Sequence, residues 1–181
     1  MPSAYDTIRG LLFSAPAPGQ LSATPRARLF GANTGTAFAA NEQLQLAIEI
    51  ALPEAPLGPG NAYLFELAVA AFGLGPTNNG YTVQGLSASL VDANAKLVMP
   101  VAQGSVTTTG GVDPFANVSA ILTPQPPLIT AEDMNSFAAA RAVGPVTQLA
   151  IGAVVTNGAT AQTIDMLAWI LVRVLHGLQE G

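Results

Sequence analysis

The side chains that could carry out nucleophilic or acid–base chemistry are scarce in this sequence. His176 is the only histidine, and the chain has no cysteine. A Ser-His-Asp triad would therefore depend on His176 alone, and a metal site with two histidine ligands cannot be built. If the segment around Arg173 and His176 is a helix, an exposed histidine that stabilises the helix end is favoured over a catalytic one.

The acidic residues and the glycines form only fragments of known motifs. Asp92-Ala93-Asn94 looks like the start of a calcium-binding loop, but the required glycine and the closing glutamate are missing. The glycine-rich segments 58–60 and 110–111 lack the Lys-Ser/Thr pair of a phosphate-binding loop, and residues 85–89 lack the second glycine of a nucleophile elbow. We therefore predict that the protein is not an enzyme, and that it uses no cofactor, no metal ion and no small-molecule substrate.

The low proportion of charged residues is the most informative feature of the composition. Only 9% of the residues are charged and 50% are hydrophobic, whereas about 25% are charged in an average soluble protein. A monomer needs charged surface to stay in solution, so we expect partner subunits to cover much of this surface. The net charge is −5, with six scattered Lys and Arg residues, which argues against direct binding of nucleic acid.

A membrane span is not predicted. Crossing a bilayer takes about 20 mostly apolar residues, and the most apolar segment, residues 164–178, is shorter and contains Asp165, Arg173 and His176. Residues 1–6 lack the basic and apolar regions of a signal peptide. We therefore expect synthesis in the cytoplasm, followed by use there or by release through assembly and lysis; prior removal of a signal peptide is the third possibility.

The first 41 residues are predicted to form a short helix and an extended arm. Ser3 to Asp6 has the pattern of a capping box, which predicts a helix over roughly residues 4–13. Residues 14–41 are rich in Ala, Gly, Pro, Ser and Thr and cannot build a core of their own. Two alternatives remain for this arm: a disordered tail, or a segment that becomes ordered against a neighbouring subunit.

Residues 42–181 are predicted to form a single, mainly β domain. Residues 43–52 alternate strictly between apolar and polar or small side chains, which is typical of a half-buried strand. Further strands are predicted from runs of β-prone residues between Gly- and Pro-rich turns, at 62–72, 81–91, 96–101, 105–109, 115–122 and 146–156. In the segment 62–72, Tyr63, Phe65, Leu67 and Val69 would share one face of the strand, although the Ala content leaves a helix as an alternative. Pro100 suggests an edge strand. One helix is predicted at about 131–143, capped by Thr130 and Asp133 and stopped by Gly144-Pro145.

The segment from Thr163 to Leu178 is the most apolar of the chain and contains its only tryptophan, Trp169. As a helix it would be apolar nearly all round and therefore buried. As a strand it would pair with residues 146–156 across Asn157-Gly158, with both faces covered. We favour the helix, because of the Leu, Met and Ala content and the length of the segment. The predicted fold is an antiparallel β-sandwich or barrel, jelly-roll-like, with this C-terminal apolar helix or strand.

The leading functional hypothesis is a structural subunit of a large assembly. A capsid decoration (cement) protein or minor coat protein of a virus or phage, located in the virion, fits the low charge, the arm and the absence of catalytic motifs. The alternatives are a β-sandwich module that binds a ligand through its loops, and a filament- or pilus-forming subunit. The expected partners are further copies of this chain and other subunits of a shell or filament. The candidate interface residues are the large apolar side chains of the arm and of the C-terminal segment: Leu11, Leu12, Phe13, Leu29, Phe30, Phe38, Trp169 and Ile170.

Overall fold

The computed structural model describes residues 22–23, 25–74, 80–103, 108–109 and 117–177. These residues form eleven β-strands and one α-helix. In chain order the elements are β1 (Ser22–Ala23), β2 (Ala27–Phe38), β3 (Gln43–Ala51), β4 (Ala62–Leu74), β5 (Tyr81–Asp92), β6 (Leu97–Gln103), β7 (Thr108–Thr109), β8 (Asn117–Leu122), β9 (Leu128–Thr130), α1 (Ala131–Arg141), β10 (Val146–Asn157) and β11 (Gln162–His176).

The strands form two antiparallel sheets. In the first sheet, β11 lies between β2 and β4, and β4 also pairs with β8 and β9. In the second sheet, β10 lies between β3 and β5, and β5 also pairs with β6. The main pairs are therefore nested along the chain: β2 with β11, β3 with β10, β4 with β8, and β5 with β6. This is the pairing of a long hairpin rolled into two sheets, which is a jelly roll. The predicted antiparallel β-sandwich is confirmed.

The core lies between the two sheets and is supplied by alternate residues of the long strands. Strand β11 contributes every second side chain from Ile164 to Val174, and each is at most 1% exposed. Leu46, Ile48 and Ile50 of β3 are buried on the opposite side of the core, as their alternation predicts. Strand β6, which contains Pro100, is last in the order of its sheet among the described strands, so the predicted edge position is confirmed.

Strand β4 departs from the predicted alternation at Glu66. Tyr63 and Phe65 face the core, but Leu67 and Val69, predicted on the same face, pair with the outward residues Leu171 and Trp169 and are not part of the core cluster. Val69 is nevertheless only 7% exposed, because its neighbours on the outer face cover it. The register explains the change, because Leu171 of β11 pairs with Leu67 and the next residue, Val172, pairs with Phe65. Glu66 is the extra residue of a β-bulge, and a bulge shifts the alternation by one position.

The internal helix forms where the sequence predicts it. The Thr130 side chain accepts a hydrogen bond from the Asp133 N–H, and the Asp133 carboxylate accepts one from the Thr130 N–H, which completes the capping box. The helix ends at Arg141, and the left-handed residue that closes it is Ala142, at φ 52°, rather than Gly144. The N–H of Ala142 bonds to the carbonyls of Ala138 and Ala139, which supplies part of the C-terminal cap.

The preference for a helix in the C-terminal segment was wrong, and so was the hairpin with residues 146–156. Residues 162–176 form the strand β11, which pairs with β2 and β4, while β10 belongs to the other sheet. The hydrogen bonds of Asn157 explain why the chain passes from the second sheet to the first between β10 and β11. Its side-chain amide donates to the carbonyls of Ala39 and Thr160, and its side-chain oxygen accepts from Gln162. These bonds, of which the one from Gln162 is buried, fix the turn to the β2–β3 connection, and the chain crosses between the sheets.

Part of the predicted N-terminal arm belongs to the sandwich. Residues 27–38 form β2, which pairs along its length with β11. The sandwich therefore begins before residue 42, where the sequence placed the boundary. Gly31 lies where β2 crosses β3, and a Cβ atom there would be 2.3 Å from Cγ2 of Ile48. The predicted helix at 4–13 lies outside the described residues.

Candidate protein interface

The outward side of strand β11 is apolar, although it does not contribute to the core. Ala168, Ile170 and Val172 point inward and are fully buried. Because side chains alternate along a strand, Leu167 and Trp169 point away from the core, and Leu167 is 45% exposed. An antiparallel sheet with one solvated face normally carries polar residues there.

A row of large apolar side chains crosses the outer face of the first sheet at Trp169. Trp169 pairs with Phe30 of β2 on one side and with Val69 of β4 on the other, and Val69 pairs with Ile121 of β8. Directly paired residues lie on the same side of a sheet. Phe30 is 56% exposed and Ile121 is 63% exposed, so the ends of the row are open to solvent.

The rows on either side of Trp169 extend this surface. Leu167 pairs with Ala32 and Ala71, and Leu171 pairs with Leu67 of β4 and with Arg28 of β2, so the second row ends in a charged residue. We call the whole surface the apolar face, and it consists of Phe30, Ala32, Leu67, Val69, Ala71, Ile121, Leu167, Trp169 and Leu171.

Arg28 lies over the aromatic rings of the apolar face. Its guanidinium carbon is 4.0 Å from the centre of the Trp169 ring and 4.7 Å from the centre of the Phe30 ring. Both distances are within the range of a cation–π interaction. Within the described part of the chain, Arg28 makes no ion pair with a carboxylate. A positively charged group therefore lies beside the apolar row.

Charged residues lie at the two ends of the apolar face along β11. At one end, Glu66 pairs with Arg26 and with Arg173, whose Nε is 2.9 Å from a carboxylate oxygen of Glu66. At the other end, Asp165 accepts a hydrogen bond of 2.7 Å from the N–H of Gly35. The first group carries a net positive charge and the second a negative one.

The outer face of the second sheet is different in character. Its exposed residues include Gln43, Gln45 and Glu49 of β3 and Gln84 of β5. The Gln43 side chain donates to the hydroxyl of Thr156 on the neighbouring strand, at 3.0 Å. This face has the polar surface that solvent contact requires, so the apolar character of the first sheet is not a general property of the chain.

The five candidate interface residues that lie within the described part of the chain fall into three groups. Phe30 and Trp169 lie on the apolar face. Phe38 and Ile170 are 2% and 0% exposed and belong to the core of this chain, so their side chains are not available to a partner. Leu29 is partly buried against the same core.

The remaining candidates, residues 11–13, lie outside the described residues. Ile121 and Leu167 were missed. The alternation of residues 165–173 would have indicated Leu167, once the segment was read as a strand.

The residues considered for chemistry have structural roles. Asp92 is buried, and its carboxylate accepts hydrogen bonds from the backbone N–H groups of Asn94, Lys96 and Gly144. The bond from Lys96 is the largest of the influences that hold the pKa of Asp92 below its ordinary value. This carboxylate joins the β5–β6 turn to the segment after α1.

The single histidine lies beside a carboxylate near the surface. His176 lies 3.4 Å from the carboxylate of Glu54. Among the described residues, no three His, Asp or Glu side chains lie close enough together to hold a metal ion. No helix in the described ranges is long and apolar enough to cross a membrane.

Comparison with known proteins gives matches of fold only. No protein-family model matches the chain, and no curated protein matches it. The solved structures similar to it include the decameric BFDV capsid protein, with 12% sequence identity and a TM-score of 0.45, covering 86% of this chain and 99% of that one. A structure of infectious bursal disease virus, Gt strain, is 8% identical with a TM-score of 0.41, over 88% of this chain and 38% of that one.

A third similar structure, TmCBM61 in complex with β-1,4-galactotriose, is 13% identical with a TM-score of 0.30, over 83% of this chain and 88% of that one. At these levels of identity and similarity, the three structures say nothing about what this chain binds.

Proposed function

We propose that this protein is a non-enzymatic structural subunit of a large protein assembly, and that another protein subunit covers its apolar face. The observation that supports this proposal is the apolar row on the outer side of the first sheet. Phe30, Leu167 and Ile121 are each about half exposed. Burying the rest of such side chains gains roughly 1 kcal/mol each, and exposed apolar patches of this kind mark protein–protein contacts.

The composition supports the same proposal. A chain with 9% charged residues has few groups to keep a separate monomer in solution. The specific role that we propose is that of a decoration protein or minor coat protein of a virion, made in the cytoplasm and used in the assembled particle. A filament subunit would use the same apolar face and differs in the shape of the assembly.

The proposal is tested by light scattering of the purified protein, with variants of each outer face. We expect an oligomer or polymer, which Ile121→Glu reduces in mass because the charge would be buried without a partner. Gln45→Glu, which places the same charge on the polar outer face of the second sheet, is the matched control and should leave the mass unchanged. A monomer at high concentration that also fails to bind isolated particles would contradict the proposal and favour a ligand-binding module. Imaging of the native particle would then show whether the chain forms part of a shell or a filament.

A further inference from the structure

The outward side of β11 has a self-complementary pattern. Read along the strand, the outward residues are Asp165, Leu167, Trp169, Leu171 and Arg173. A leucine stands two positions before and after Trp169, and opposite charges stand four positions before and after it. The register irregularities of this region place the extra residues in β2 and β4, so β11 keeps its alternation throughout.

A second copy of the same strand, running in the opposite direction over the first, would place apolar residues opposite apolar residues and opposite charges opposite each other. A two-fold axis that passes over Trp169 and runs across the strands would stack Trp169 on Trp169 of the second copy. The same rotation would place Leu167 opposite Leu171, and Asp165 opposite Arg173. An interface of this kind uses the same surface on both copies.

The charges at the two ends fit this arrangement. Glu66 is shared between Arg26 and Arg173, so one positive charge of that group is not neutralised within it. Asp165 accepts a hydrogen bond from the N–H of Gly35 and makes no ion pair among the described residues. The antiparallel stacking brings each unbalanced positive group toward one negative group, twice per dimer. A parallel stacking would place like charges together.

We propose that the apolar face binds the same face of a second copy of this chain, with the two β11 strands antiparallel about Trp169. This inference rests on the proposed function, and it names the partner. The face is four strands wide, or roughly 19 Å, and roughly 27 Å long from Asp165 to Arg173, at the usual strand spacing and rise. The footprint is at most roughly 500 Å² per partner, because β8 pairs only with residues 68–73 of β4. This is below the ~800 Å² per partner of a standard stable interface and corresponds to a weak or transient dimer.

The first test uses engineered cysteines, because the chain has none of its own. Facing sheets lie roughly 10 Å apart, so position 167 of one copy should lie roughly 10 Å from position 171 of the other. The distance between two copies of position 167, or of position 171, should be roughly 17 Å. A bifunctional maleimide with a short spacer of about 8 Å should therefore cross-link a mixture of Leu167→Cys and Leu171→Cys proteins several times faster than either protein alone.

Cross-linking of each single variant at the same rate as the mixture, or faster, would overturn the antiparallel arrangement. Gln45→Cys, on the polar outer face of the second sheet, measures random collision. Rates in the mixture no higher than those of Gln45→Cys would show that the face does not bind a second copy.

The second test changes the charge at one end of the face. Asp165→Arg would place two arginines opposite each other at both ends of the dimer, and we expect the association constant to fall roughly tenfold or more. Asp165→Asn keeps an oxygen acceptor for the N–H of Gly35 and removes the charge, so it should weaken association less than Asp165→Arg. Equal association of the three proteins in analytical ultracentrifugation would contradict the pairing of Asp165 with Arg173.

The failure of this inference can be distinguished from failure of the proposed function. A monomeric chain that binds isolated particles, with Ile121→Glu abolishing that binding, would overturn the second copy as the partner and leave the structural role intact. A monomer that binds no particle would overturn both.

Discussion

Trp169 and Ile170 are adjacent in β11 but face opposite sides of the sheet. Truncation of Ile170 is expected to lower the free energy of unfolding more than truncation of Trp169, whereas truncation of Trp169 is expected to weaken association more. Ile170 is fully buried between the sheets, and removing most of a buried isoleucine costs about 2–5 kcal/mol of unfolding free energy, because the cavity only partly collapses. Trp169 points outward, and its replacement removes the contact with Arg28 and the cross-strand pair with Phe30. These contacts are worth about 0.5–1 and 0.2–1 kcal/mol. We expect Trp169→Ala to cost roughly 1–2 kcal/mol in the dissociated subunit.

Association should show the reverse order. Truncation of an aromatic residue at the centre of an interface typically costs 2 kcal/mol or more of binding free energy, which is roughly a 30-fold loss of affinity. Ile170→Ala does not touch the apolar face, so its folded fraction should associate almost normally.

The assay is urea denaturation followed by circular dichroism, at a concentration where the subunits are dissociated, together with light scattering at higher concentration. If Trp169→Ala destabilised the subunit as much as Ile170→Ala and left association unchanged, Trp169 would belong to the core, and the assignment of an outward face would be refuted.

Three further predictions concern the fold. Gly31→Ala should lower the unfolding free energy by about 1–3 kcal/mol, because its methyl group would overlap Ile48 between the sheets; Gly58→Ala, where the nearest side-chain atom is 3.7 Å away, is the control in thermal unfolding. Asp92→Asn should lower the melting temperature at neutral pH. The pKa of Asp92 is lowered in the folded state. The carboxylate therefore stabilises the fold at pH values above the unfolded pKa of about 3.9, and this stabilisation is lost as the pH falls through the folded pKa. The variant should therefore lose less stability on acidification than the natural protein. Thr130→Ala removes the side-chain cap of α1 and should cost about 0.5–2 kcal/mol in chemical denaturation.

The sequence predicts those elements whose signals are local. The alternation in β3 gives the strand and its buried face, because one side of that strand is polar. The helix α1 follows from Thr130 and Asp133, whose side chains satisfy backbone groups only a few residues away. In both cases the structure that the residue types favour locally is also the one that the folded protein requires.

The strand β11 could not be assigned in this way because the outward residues Leu167, Trp169 and Leu171 hide the period of two. Their apolar character, which we attribute to an interface, removes the contrast that identifies a half-buried strand. The partner strands were also unpredictable. Asn157-Gly158 indicates a turn but not which sheet the next strand joins. That choice depends on the hydrogen bonds of Asn157 with Ala39, which is distant in the sequence, and with Gln162, which forms its bond only in the folded chain.

The candidate interface was predictable in part. Trp169 and Phe30 stand out by residue type in a chain with few aromatic residues. Ile121 and Arg28 join them only through the register of β8 and β2. The bulge at Glu66, which turns Leu67 and Val69 outward, has no signal in the sequence, because it depends on the pairing with β11.

The central place of β11 in its sheet also sets the timing of folding during synthesis. This strand is the last of the described strands to leave the ribosome, yet both β2 and β4 hydrogen-bond to it. Until it emerges, those two strands have no common neighbour, and the inward side chains of the first sheet have no complete surface to pack against. Long-range pairing of this kind folds slowly and leaves apolar segments exposed in the meantime. The nascent chain must therefore be kept from aggregating until residues 162–176 have been made, and truncation before residue 162 would remove the middle of a sheet rather than its edge.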